Sequence, residues 1–155
     1  MANENVGMAL SEVHYLHLPS HRPLPPLTTQ PFRAVVVIEQ AVSDDWRLEV
    51  SRWLVRSGCR YMMAWGPDCS LWDDDVDWAN QEQFGDEEIP DDRFIWTTWH
   101  DDETLFDVFW YAEACAHDPY IELGLTLILH IASPEQRAEL LEAYAQAQGD
   151  WLPDD

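Results

Sequence analysis

Five residues have the types that covalent chemistry needs: Cys69, His100, Thr98, Glu39 and Asp68. A thiol at a helix N-terminus is more acidic than a free one, and a histidine within hydrogen-bond reach makes it a nucleophile. Cys69 and His100 form a candidate dyad of this kind. Thr98 adds a hydroxyl, and Glu39 with Asp68 or Asp101 adds paired carboxylates for acid–base work. A plainer role suits the same positions, because Asp, Ser and Thr ahead of a helix cap its free N–H groups. The sequence leaves both readings open.

A second constellation is electrostatic. The net charge is −22, and residues 71–155 hold twenty-three acids against two arginines. Between Asp68 and Asp92 there are eleven acids and no base. Such a field repels nucleic acid and anionic membrane and attracts a basic protein. Asp73, Asp74, Asp75, Asp77, Glu87 and Glu88 are the candidate contact acids. Trp78, set among them, is the candidate aromatic anchor, since buried aromatics dominate the energetics of interfaces. A solvated acidic surface is the bland alternative.

Standard cofactor and metal signatures are missing. No GxGxxG or GxxxxGK[ST] loop exists to cradle phosphate. Asp73, Asp75 and Asp77 have the opening spacing of a calcium loop, but Trp78 and Phe84 stand where that loop needs Gly and Glu. Neither HExxH nor paired cysteines provide a zinc set. The expectation is therefore no cofactor and no metal. Three cysteines without a C-x-x-C pair point to reduced thiols in a cytoplasmic setting. Cys59 and Cys115 read as small core residues. No apolar run reaches the ~20 residues that span a bilayer.

The elements that must position these residues alternate. Residues 1–31 read as an N-terminal leader and a connector with prolines at 19, 23, 25, 26 and 31, extended because proline fixes φ and lacks a donor. Within it, 15–18 offers a short edge strand. Residues 32–148 read as the α/β domain and 149–155 as an acidic tail. Ala34–Ile38 is a continuous β-branched run, as a central parallel strand requires. Ser43 caps the next helix, Trp46, Val50, Trp53 and Leu54 form its stripe, and Gly58 ends it. Further strands are expected at 61–65, 94–99 and 125–131. Helices are expected over 70–80, from Asp101 or Asp102 to about 116, and from a Ser133–Gln136 capping box onward. Residues 81–92 read as an acidic loop. Alternation of this kind implies a three-layer α/β/α sandwich with a mostly parallel four-stranded sheet, flavodoxin- or Rossmann-like, with 15–18 as a possible fifth strand. The order expected for the four strands is 2-1-3-4.

The segments Val36–Glu39, Val42–Arg47, Ser57–Cys59, Tyr61–Gly66, Asp68–Ser70, Val76–Asn80 and Thr97–His100 resemble a bacterial domain-of-unknown-function family of small acidic α/β proteins. The resemblance spans roughly residues 14–132. It implies a single compact domain and carries no activity. Two functions are thus expected. The first is an acidic module that binds a basic protein partner, as an immunity protein, inhibitor or accessory subunit does. The alternative is a small hydrolase-like enzyme with its site at the carboxyl ends of the strands, where open parallel sheets bind ligands.

Overall fold

In the computed structural model, which describes residues 11–27 and 30–149, one five-stranded, all-parallel sheet lies between two pairs of helices. The strands are β1 (Glu12–His17), β2 (Phe32–Ile38), β3 (Cys59–Trp65), β4 (Trp96–Trp99) and β5 (Leu125–Ile131). The helices are α1 (Asp44–Ser57), α2 (Cys69–Glu82), α3 (Leu105–Ala114) and α4 (Arg137–Gly149). Most of the leader expected at the N-terminus, and the acidic tail beyond 149, lie outside the described residues.

Burial divides the helices. Trp46, Val50 and Trp53 of α1, with Trp72 and Val76 of α2, pack on one face against Val36, Ile38, Met62 and Leu129. Val108 and Phe109 of α3, with Leu140 and Tyr144 of α4, pack on the other against Val35, Val37, Met63 and Ile128. Alternate residues of each strand supply the two faces, which is why β2 and β5 are apolar and buried throughout. The proline connector covers part of the α1 face through Leu24 and Leu27. Trp46 Nε1 donates to the Arg22 carbonyl at 3.2 Å and Trp53 Nε1 to the Pro25 carbonyl at 2.7 Å.

The sheet order is β1-β5-β2-β3-β4, so the four expected strands run 4-1-2-3 and not 2-1-3-4. The physical reason is burial. β5 is buried along its whole length and takes a neighbour on each side, whereas β4 is four residues, half exposed, and fits an edge. Two helix starts also differ. α3 begins at Leu105, capped by Thr104 in a capping box with Asp107, and not at Asp101 or Asp102. α4 begins at Arg137 because Gln136 N–H is held by the Tyr15 hydroxyl at 3.0 Å, and Ser133 accepts from Gln40 at 2.6 Å instead of capping. At α1 the expected caps are in place: Ser43 accepts from Trp46 N–H at 3.1 Å and Gly58 has φ 105°.

Candidate functional site

The carboxyl ends of the strands lie along one rim, and the chain reverses its direction of travel between β2 and β5. Gly66 draws the β3 end of this rim close to β2. Its φ is +119°, and a Cβ there would fall 2.0 Å from the Ile38 carbonyl oxygen. Glu39 follows β2, and its Oε1 lies 3.4 Å from Nε2 of His130, which is fully buried on β5. The other ring nitrogen of His130 bonds the Tyr15 hydroxyl at 2.7 Å. That hydroxyl also accepts Gln136 N–H, at 3.0 Å. Burial raises the Tyr15 phenol above its ordinary range, so it stays neutral. Glu39 is two strands from β4, roughly 10 Å at ordinary strand spacing.

The β4 end holds Thr98 and His100. His100 is nearly buried, and both its ring nitrogens are engaged. Nε2 is 2.8 Å from Thr98 Oγ1 and Nδ1 is 3.0 Å from Glu103 Oε1. The ring also meets Tyr111 edge-on, with centroids 5.2 Å apart. Cys69 sits on the other face of the sheet, in the α1–α2 core. Burial pushes its thiol up, against the lowering effect of a hydrogen bond from the His100 backbone. His100 therefore pairs with Thr98 and Glu103, and not with Cys69. Asp68 is exposed in the left-handed region with φ 62°, and its side chain makes no cap.

The acids of α2 separate by role. Asp75 bonds Arg47 at 2.8 Å, and Asp73 is buried. Asp77 accepts from Thr97 Oγ1 at 2.8 Å. Desolvation first, and then the neighbouring Asp77 charge, push the Asp73 carboxyl up to about 6. Asp74, Glu87 and Glu88 are exposed. Trp78 is 52% exposed, with the Arg52 guanidinium 5.3 Å from its ring centre.

The strand tryptophans depart from a core role. Trp96 is 41% and Trp99 50% exposed. Trp96 lies on the α3–α4 side of the sheet beside Tyr61 and Trp99 on the α1–α2 side beside Ala64, both exposed because β4 is an edge strand. Phe94 packs edge-on to Trp96 with centroids 5.1 Å apart, extending the apolar rim. Cys115, expected in the core, is exposed at the end of α3, because Ala116 takes the buried position after it. Cys59 is buried, and desolvation pushes its thiol up to about 12.

Sequence reasoning passed over two groups. Glu103 is one of three consecutive acids, and only the turn geometry selects it; the His-x-x-Glu spacing ahead of a Thr cap is its signal. Arg33, just outside the expected strand, is buried and donates to the Ala116 carbonyl at 3.0 Å and to Thr126 Oγ1 at 3.1 Å. It faces Glu113 at 3.6 Å, and Glu113 also accepts from Tyr144 at 2.6 Å. This network is at the amino ends of the strands, away from the rim, and is structural.

Among the described residues no group of three or more His, Cys, Asp or Glu could hold a metal ion, and no helix is long and apolar enough to cross a membrane. No match was found among curated proteins or solved structures. A family model covers residues 13–147, nearly all of the sheet and helices, and by it the chain belongs to the domain-of-unknown-function family DUF7684.

Proposed function

We propose that this protein is an acidic interaction module that docks a basic protein through the open edge of β4. The observation that carries this reading is the edge strand β4 within the acid-rich segment 86–103, which presents half-exposed Trp96 on one face and Trp99 on the other, with Phe94 just ahead of it. An edge strand leaves backbone groups unpaired and an aromatic rim supplies contact area, while acids of one sign steer a basic partner and favour fast, salt-sensitive association. Asp74, Glu87 and Glu88 are the acids best placed for steering, because they are exposed. Asp73 is buried and Asp75 is held by Arg47, so neither is free to steer. We infer a reducing, cytoplasmic setting from three cysteines that remain free thiols.

The test is a pull-down with the tagged full chain, washed at about 50 mM and then about 500 mM salt, a range that strongly changes screening. A stoichiometric basic protein, held at low salt and released at high salt, is expected. The combined variant Asp74→Lys, Glu87→Lys, Glu88→Lys should weaken capture at least tenfold, and Trp99→Ala should weaken it further. Undiminished capture by both variants refutes the docking surface.

A further inference from the structure

We propose that Thr98 is an activated hydroxyl nucleophile, with His100 as its general base and Glu103 as the positioning residue, on a shelf that takes a neutral or cationic ester. The inference rests on observations separate from the partner reading above, although both use Trp96 and the open edge of β4.

For the neutral His100 ring the hydrogen bonds have one self-consistent assignment. A carboxylate only accepts, so the proton on the His100 ring is at Nδ1, where Glu103 receives it at 3.0 Å. Nε2 then carries a lone pair, and the Thr98 hydroxyl donates to it at 2.8 Å. This is the arrangement of nucleophile, base and orienting group that acyl transfer uses on unrelated folds. His100 is buried and fixed on its inner side by Tyr111, so the imidazole is already oriented. Trp65 Nε1 donates to the Glu103 carbonyl at 2.8 Å and ties down the turn that presents the carboxylate.

Strand geometry supplies access and an electrophilic donor. Trp96 and Thr98 alternate onto one face of β4, where Trp96 is exposed and Thr98 half-buried, and His100 follows just beyond the strand under Tyr111 of α3. A flat acyl or aryl group can lie on Trp96 with its carbonyl beside Thr98. The His100 N–H bonds the Ala64 carbonyl of β3 at 2.9 Å. Successive N–H groups on a strand point in opposite directions, so the N–H of Trp99 is directed to the open edge of β4. The residue after the nucleophile is where an oxyanion donor is needed. Asp101, Asp102, Glu103 and Asp107 follow in sequence, so an anionic substrate is repelled.

The step balances with an ester and water. Thr98 Oγ bonds the carbonyl carbon as its proton passes to His100 Nε2. The bond from carbon to the leaving oxygen breaks, and the proton goes to that oxygen, releasing the alcohol. Water then loses a proton to His100, adds to the acyl carbon, and frees the carboxylic acid and Thr98.

The experiment treats the full chain with p-nitrophenyl acetate and, separately, with a neutral fluorophosphonate probe, and locates the adduct by peptide mass spectrometry. An adduct on Thr98 is expected. Thr98→Val, nearly isosteric, should abolish it, and Thr98→Ser should retain it. His100→Gln should reduce labelling at least tenfold. Glu103→Gln should displace the pH profile of labelling, a readout that a merely structural Glu103 leaves in place. Circular dichroism establishes that each variant is folded. A folded wild-type protein that carries no adduct on Thr98, or a Thr98→Val variant that labels equally, overturns the proposal.

Discussion

Asp73 and Asp77 lie one helical turn apart on α2, and both draw on the Thr97 hydroxyl. Two carboxylates so close resist joint ionisation, and burial adds to the resistance. The folded-state value of Asp73 is above its ordinary one, at about 6. Its carboxyl therefore imposes no cost at pH 4 and destabilises the fold increasingly as pH rises through 6. Asp73→Asn replaces the acid proton with an amide donor toward Asp77 and removes that cost. The variant should gain about 1–2 kcal/mol at pH 7.5, allowing for solvent screening, and almost nothing at pH 4. Urea midpoints at the two pH values measure this. Equal effects at both would mean that Asp73 is ionised throughout. A single residue thus has opposite signs in two arguments: its charge adds to the acidic field, while its burial makes that charge a liability.

At the scale of elements, the proline connector stands in for a helix over part of the α1 face. It is held by Leu24 and Leu27 packing and by two indole hydrogen bonds, from Trp46 and Trp53. Trp53→Phe keeps an aromatic ring in the core and removes one of them, so a loss of about 1–2 kcal/mol is expected from the unpaired carbonyl and the smaller ring. Hydrogen exchange should rise over residues 22–27 and stay unchanged in β2. A uniform rise would show that the connector and sheet open as one unit. The elements themselves were mostly legible. Ala34–Ile38 could only be an inner strand, and Ser43 and Gly58 mark both ends of α1. Strand order was not legible from alternation, which is silent on whether β5 joins β2 or β4. The burial demand of Leu125–Ile131 against the threonines of β4 contained that answer. At the rim, the strand pattern placed Thr98 and His100 at one strand end, and they meet there at 2.8 Å. Cys69 misled because a helix N-terminus acidifies a thiol only where the thiol also stays solvated.

For the whole molecule, a net charge of −22 acts on folding and association with opposite signs. Like charges repel within the compact state, and salt screens that repulsion. Thermal stability should therefore rise by several degrees between about 20 mM and 500 mM sodium chloride, while partner capture falls over the same range. Differential scanning calorimetry tests the first. A falling Tm would place the ion pairs of Arg33 with Glu113, Arg47 with Asp75 and Arg52 with Glu82 above the global repulsion. The strand order has a different consequence, in time. During synthesis β2 leaves the ribosome with β3 close behind it, but its other neighbour is β5, with Arg33 and Thr126 93 residues apart. β1 waits still longer, for the strand whose His130, bonded to Tyr15, lies 115 residues on. Until then the apolar edge of Ala34–Ile38 has no native strand beside it. A nascent chain halted before residue 125 should thus be a strong client for chaperones that hold extended apolar segments, and release should follow once Leu125–Ile131 emerges.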